Sequence, residues 1–122
     1  GIVGTQVIPY INKSKVAKDQ QVLNSISTAA VAAYSENGAT SDMTINVFGA
    51  VPADATQAKI QADIKTASGY SDLAAFKKAL GSDAGKAVTD VKVKFDTSTH
   101  KATTSVTPVD AKYPIKDVEA TL

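Results

Sequence analysis

The sequence predicts an α+β domain, a long N-terminal helix packed on an antiparallel meander of about three strands. Three observations predict this fold. Apolar residues recur with a helical period up to Asn37, two further helix starts follow, and the last third alternates apolar and polar residues. We therefore read the 122 residues as a single domain: a long helix, a helical connecting loop over 38–87, and a sheet with a C-terminal tail over 88–122.

The long helix is predicted over residues 1–37, and its two parts suit different surroundings. Residues 1–11 carry no charge, whereas residues 12–37 form an amphipathic helix. Pro9 removes a backbone donor and predicts a bend, and Asn37-Gly38 predicts the helix stop. The amphipathic part carries an apolar face for the core, made of Val22, Leu23, Ile26, Ala30 and Ala33.

The connecting loop contains two predicted short helices. Asp54, with Gln57 three residues later, forms a capping box, and Gly69 is expected to end that helix. Ser71 is expected to cap a second helix over Asp72 to Leu80. Both helices belong to the segment that joins the long helix to the sheet.

The strands are predicted from their period of two. Val91 to Phe95 alternates cleanly, Asp96 to His100 predicts a turn, and Ala102 to Val106 continues the period on the return strand. A third strand of the meander is predicted around Tyr113 to Val118. Met43 to Phe48 alternates well enough for a further short strand, although propensity alone leaves a loop open as the alternative.

Composition excludes several classes of function. The net charge is +1, all 13 basic residues are Lys, and the chain has no Trp, so no nucleic-acid partner is expected. The chain has no Cys, which rules out disulfides, thiolate metal sites and a cysteine nucleophile. The only histidine, His100, falls in a predicted turn, and no Gly-x-Ser-x-Gly elbow accompanies it. We therefore expect no enzyme activity, cofactor or metal.

A cluster of lysines follows the uncharged stretch directly. Lys13, Lys15 and Lys18 form either a solvated helix face or a contact surface for lipid headgroups or for acidic groups of a neighbouring subunit. The sequence leaves these alternatives open.

The first 17 residues carry a resemblance to a known family. Gly1 to Ala17 is similar to the first helix of type IV pilins and pseudopilins, with Ile8-Pro9 where the family has a Val-Pro pair and Lys13-Ser14-Lys15 on its basic patch. The family's processing site and its following Glu are not in the sequence, and beyond about residue 20 only the order of elements agrees. The chain lacks the paired Cys of many Gram-negative pilins, and in this it resembles a Gram-positive, clostridium-like pilin.

The resemblance implies assembly rather than catalysis. Residues 1–11 are expected to be the remnant of a longer apolar helix that first anchors the subunit in the cytoplasmic membrane and then packs in the core of a homo-oligomeric filament. The assembly machinery and the membrane would be the other partners, and the cell surface the final location. The residues implied in this helix are Ile2, Val3, Val7, Ile8, Pro9 and Ile11.

The expected function is that of a major pilin, the structural subunit of a type IV pilus used for surface adhesion, twitching motility or biofilm formation. One alternative is the major pseudopilin of a type II secretion or DNA-uptake apparatus. Since such pseudopilins carry calcium, Asp96, Asp110 and Asp117 are the residues to inspect, although they match no calcium motif. A small secreted adhesin-like binding domain is the alternative from another class.

Overall fold

The computed structural model describes the backbone of residues 2–122 and the side chains of residues 13–122. Helices and a single antiparallel sheet make an α+β arrangement. The elements in chain order are α1 (Ile2–Glu36), β1 (Met43–Asn46), α2 (Ala55–Ser68), α3 (Leu73–Lys78), α4 (Asp83–Lys86), β2 (Asp90–Asp96), β3 (Lys101–Thr107) and β4 (Val118–Thr121).

The sheet has four strands in the order β1-β2-β3-β4, and every neighbouring pair is antiparallel. The prediction of about three strands was therefore wrong. The additional strand is β1, in which Met43 lies opposite Phe95 of β2. A local pattern predicts that the segment is extended but does not contain the partner it will pair with, because that partner lies far along the chain.

The last strand also differs from its prediction around Tyr113 to Val118. It begins only at Val118, which lies opposite Thr104 of β3. The carboxylate of Asp110 accepts hydrogen bonds from the backbone N–H groups of Lys112 and Tyr113, at 3.1 and 2.6 Å, and bends the chain there. This bend delays the return of the chain to the sheet.

Helix α1 is unbroken through Pro9 and ends beside Gly38, which has a φ of 63° and donates its N–H to the carbonyl of Ser35. The helix stop is confirmed. Tyr34 stacks on Phe95 with ring centroids 4.6 Å apart, so the last turns of α1 lie against the sheet. Four of the five predicted stripe residues are fully buried with the inner face of the sheet, and Val22 is half-buried. The buried four are Leu23, Ile26, Ala30 and Ala33.

The connecting loop follows its predictions in part. Asp54 caps α2 by accepting the N–H of Gln57 at 2.9 Å, and Gly69, with a φ of 83°, ends it. Asp72, not Ser71, caps α3, because its carboxylate reaches the N–H of Ala75. Helix α4 was not predicted.

The domain has two ends. We call the end where α1 residues 16–20 meet α4 and the loop after β3 the proximal end. The opposite end, with Asp42 and the turn between β2 and β3, is the distal end. Strand β3 spans the distance between them with seven residues, about 20 Å.

Candidate functional site

The lysine cluster lies on α1 at the proximal end. Lys13, Lys15 and Lys18 are all exposed, and Val16 between them is half-buried against the core. Within residues 13–122 the single salt bridge joins Lys101 to Glu119, so the three amines of the cluster have no carboxylate partner there. The cluster is therefore free to contact another surface.

The next residue of the helix, Asp19, is buried, with 1% of its surface exposed. Its carboxylate accepts hydrogen bonds from the N–H groups of Gly81 and Ser82, at 2.8 and 2.9 Å, and from the hydroxyl of Ser82. Burying a carboxylate is costly unless hydrogen bonds replace its hydration. These three donors satisfy it and join α1 to the start of α4.

Ser82 extends this hydrogen-bond network into α4. Its hydroxyl oxygen accepts the N–H of Gly85 at 3.0 Å while it donates to Asp19, so it is the N-cap of that helix. Gly85 is packed tightly, because a Cβ added to it would lie 2.5 Å from the Asp19 carboxylate and 2.7 Å from the Cβ of Leu80. Only a residue without a side chain fits beside Asp19.

Gln20, the next residue of α1, is bonded to another segment of the domain. Its side-chain amide donates to the carbonyl of Lys116 at 2.7 Å and accepts the N–H of Lys116 at 2.9 Å. Lys116 belongs to the segment Pro108–Asp117 between β3 and β4, which we call the C-terminal loop. Consecutive residues of α1 thus bind two different segments of the domain.

The C-terminal loop also forms a cleft with α1. This cleft, of about 270 Å³, is lined by Val16 together with Asp83, Asp110, Lys112 and Tyr113. The ammonium of Lys112 lies 5.7 Å from the ring centroid of Tyr113. The proximal end therefore brings together the α1 lysines and the lysines of this loop.

The role of Asp19 was not predicted from the sequence. The signal was present, because one helical turn before Leu23 the apolar stripe reaches Asp19. A charged residue on the buried face of a helix requires partners elsewhere in the chain. Gly81 and Ser82, directly before α4, supply them.

The distal end contains a second link between distant segments. The carboxylate of Asp42 accepts the N–H and the hydroxyl of Thr97, at 2.8 and 2.6 Å, which lowers the pKa of Asp42 from 3.8. Burial, with a smaller contribution from the charge of Asp42, raises the pKa of the Tyr34 hydroxyl, which donates to the carbonyl of Ser41. These contacts attach the end of α1 to the β2–β3 turn.

Gln61, a buried polar residue of α2, lies in the connecting loop. The side-chain amide of Gln61 donates to the carbonyls of Asn46, Gly49 and Ala50, between 2.9 and 3.2 Å, and fixes the chain after β1. It also lines a shallow groove of about 490 Å³ on α2, beside the exposed Val51.

The residues considered for chemistry fall into two separate segments, the β2–β3 turn with Asp96 and His100 and the C-terminal loop with Asp110 and Asp117. His100 is exposed at the end of the β2–β3 turn with a φ of 56°. The carboxylates of Asp96 and Asp110 bond the backbone of their own turns, and a hydrogen bond from the Ser98 hydroxyl is the main cause that lowers the pKa of Asp96. In the described part of the chain no group of three or more His, Asp or Glu residues is arranged to hold a metal ion.

The apolar residues implied in the filament helix lie in the first third of α1. Their backbone is helical, but their side chains are outside the described residues; they are Ile2, Val3, Val7, Ile8, Pro9 and Ile11. Of the helices that the structure describes, none has the length and apolar character needed to span a bilayer.

Comparison of the chain with protein-family models, with curated proteins and with solved structures gives no match.

Proposed function

We propose that this protein is a structural subunit, a major pilin, that self-assembles into a type IV pilus filament used for surface adhesion, twitching motility or biofilm formation. The observation that carries the proposal is the single helix α1, 35 residues long. Its length is about 52 Å. Among the residues whose side chains the structure describes, Val16 is the first apolar residue of α1 that packs against the core. The sequence of the helix up to Ile11 is uncharged.

An uncharged helical end supports self-assembly by a simple physical argument. Each Ile or Val side chain that is buried contributes roughly 1.5–3 kcal/mol, so copies of this segment gain free energy by packing against one another. A contact between different surfaces of two copies gives an open helical filament when its rotation does not close into a ring. The proposed membrane and filament helix consists of Ile2, Val3, Val7, Ile8, Pro9 and Ile11.

The three lysines that follow the uncharged stretch of α1 also support this proposal. Lys13, Lys15 and Lys18 are exposed and without salt-bridge partners in residues 13–122, so they can face headgroups before assembly or acidic groups of a neighbour after it. The pilus assembly machinery and the cytoplasmic membrane are the other proposed partners. The final location is the cell surface, in an extracellular pilus, with a membrane pool before assembly.

The precursor gene separates the pilin reading from the adhesin-like alternative. A short basic leader that ends in Gly, followed by an apolar run that continues into Gly1, supports a pilin or a pseudopilin. A conventional signal-peptidase site directly before Gly1 would favour a secreted binding domain.

Electron microscopy of cells tests the filament itself. Cells that express the full-length protein together with the assembly machinery are expected to carry thin filaments that an antibody to this domain decorates. Abundant processed protein without any filament would contradict the proposal. Short filaments confined to a secretion apparatus would favour the pseudopilin.

A further inference from the structure

We infer that the C-terminal loop, Pro108–Asp117, is a second docking surface for an anionic lipid bilayer, in which Val109 enters the interface while Lys112 and Lys116 contact lipid phosphates. The inference deepens the proposed function and rests on it for the cellular setting, because it describes the subunit before assembly.

The loop is placed beside the part of α1 that follows the uncharged stretch. Lys112 and Tyr113 line the same cleft as Val16, and the backbone of Lys116 is bonded twice to the side chain of Gln20. The loop therefore lies at the level of α1 residues 16–20, with the lysine cluster of α1 next to it.

The loop exposes the residue types that favour a membrane interface. Val109 is 64% exposed, and Val51 is the other strongly exposed large apolar residue among residues 13–122. Tyr113 is half-buried, with the ammonium of Lys112 5.7 Å from its ring centroid. Tyr and Lys have an apolar body and a polar tip, so both are suited to the headgroup level.

The charge of the proximal end suits an anionic surface. On α1 and the C-terminal loop it has five exposed lysines, and none has a salt-bridge partner in residues 13–122: Lys13, Lys15, Lys18, Lys112 and Lys116. Asp83 and Asp117 are exposed nearby, and Asp110 is bonded to the N–H groups of its own loop. The carboxylate of Asp19 is buried and satisfied by Gly81 and Ser82. The outward-facing charge is therefore positive.

The dimensions agree with this placement. A helix rises 1.5 Å per residue, so Val16 lies about 7.5 Å above Ile11, the last residue of the uncharged stretch. The headgroup layer on each side of a bilayer is about 5–8 Å deep. With the uncharged stretch in the hydrocarbon, the loop beside Val16 reaches the headgroup layer. An apolar segment joined to a basic surface gives the two signals that stable interfacial binding requires.

A second copy of the chain is the other occupant to consider for Val109. Lysines without salt-bridge partners in residues 13–122 lie on α1 and on the same loop, so two proximal ends that face each other would repel. The charge therefore favours lipid over self-association at this surface.

The absence of Trp from the chain allows a clean probe. The variant Val109→Trp should shift its fluorescence emission to shorter wavelength on vesicles of mixed phosphatidylcholine and phosphatidylglycerol. The control Thr99→Trp, in the exposed turn at the distal end, should show no shift on the same vesicles. Vesicle flotation measures binding of the whole chain in parallel.

The contribution of the lysines is tested by measuring how strongly uncharged variants of the protein partition onto the same vesicles. Lys112→Gln and Lys116→Gln should each weaken binding about fivefold at low salt. The control Lys59→Gln, on the exposed face of α2 near the distal end, should leave binding unchanged.

Three results would overturn the inference. The chain could fail to float with anionic vesicles, or it could float while the emission of the Val109→Trp variant stays unchanged. An emission shift that follows protein concentration without vesicles would identify a second copy as the occupant. None of these results depends on filament formation, so they are distinguishable from a failure of the pilin proposal.

Discussion

Asp19 of α1 and Ser82, the N-cap of α4, share two hydrogen bonds although they are 63 residues apart, and both are 1% exposed. The buried carboxylate of α1 thus accepts hydrogen bonds from the backbone and side chain of the residue that caps α4. This pair fixes the position of α1 where it leaves the domain.

Removal of the Asp19 carboxylate should destabilise the domain. Asp19→Ala leaves the N–H groups of the half-buried Gly81 and the buried Ser82, and the Ser82 hydroxyl, without an acceptor. This should lower the free energy of unfolding by about 3 kcal/mol in urea denaturation. The control Lys18→Ala, at the exposed neighbouring position, should stay within about 0.5 kcal/mol of the native chain. A loss below about 1 kcal/mol for Asp19→Ala would show that the pair contributes little.

The close packing around Gly85 predicts an asymmetry between two glycines. Gly85→Ala should cost about 1–3 kcal/mol, because its Cβ would meet the Asp19 carboxylate and Leu80. Gly81→Ala should cost little, because the nearest atom to its Cβ is Lys15 Cγ at 3.9 Å. Thermal unfolding of the two variants measures the difference, and equal melting temperatures would be inconsistent with this packing.

The buried hydroxyl of Thr104 predicts a stabilising substitution. Thr104 is 0% exposed, and its Oγ1 has no hydrogen-bond partner within the described protein. Thr104→Val keeps the shape and removes the unsatisfied group, so it should raise the free energy of unfolding by about 1 kcal/mol. Thr103→Val, at the preceding and only half-buried residue of β3, is the matched control. A destabilised Thr104→Val variant would indicate a bound water at Oγ1.

The bond between Asp42 and Thr97 predicts a pH dependence. Because the pKa of Asp42 is lowered on folding, its contribution to stability is fully present above about pH 5 and is lost as pH falls through its folded pKa. The stability difference between the native chain and Asp42→Asn should therefore shrink as pH is lowered from 7 to 3 in urea denaturation. If the stability difference between the two proteins stayed constant from pH 7 to pH 3, the ionised Asp42 carboxylate would not be the stabilising group.

Charge reversal of the α1 lysines tests the proposed assembly. Changing Lys13, Lys15 and Lys18 together to Glu should reduce the number of filaments only modestly and leave the domain folded, because exposed ion pairs contribute little. Lys59→Glu, on the exposed face of α2, is the control. Loss of every filament in the triple variant would assign these lysines a larger part in assembly.

The fold was predictable wherever a short stretch of sequence determines its own structure. The period of α1, the cap at Asp54 and the alternation of Val91 to Phe95 are local signals, and the structure follows them. The fourth strand of the sheet depends on the pairing of Met43 with Phe95, and no window of the sequence contains both. The late start of β4 depends on the turn at Asp110, which β propensity does not register.

The proximal site was predictable only in its charges. The lysines of α1 are visible in the sequence as a cluster, and the structure places all three at the surface. The C-terminal loop joins them through the two hydrogen bonds between Gln20 and Lys116, whose separation of 96 residues leaves no local trace. The burial of Asp19 is likewise set by packing between distant segments.

The two contacts made by Asp19 and Gln20 also have a mechanical consequence. A tensile force applied along α1 from its first residues reaches the hydrogen bonds of Asp19 and Gln20 before it reaches the fully buried side chains of Leu23 and Ile26. Their hydrogen bonds anchor the helix to α4 and to the C-terminal loop, and they are loaded together rather than one after the other. The force is thereby divided between α4 and the C-terminal loop, so only part of it acts on the apolar core of the domain.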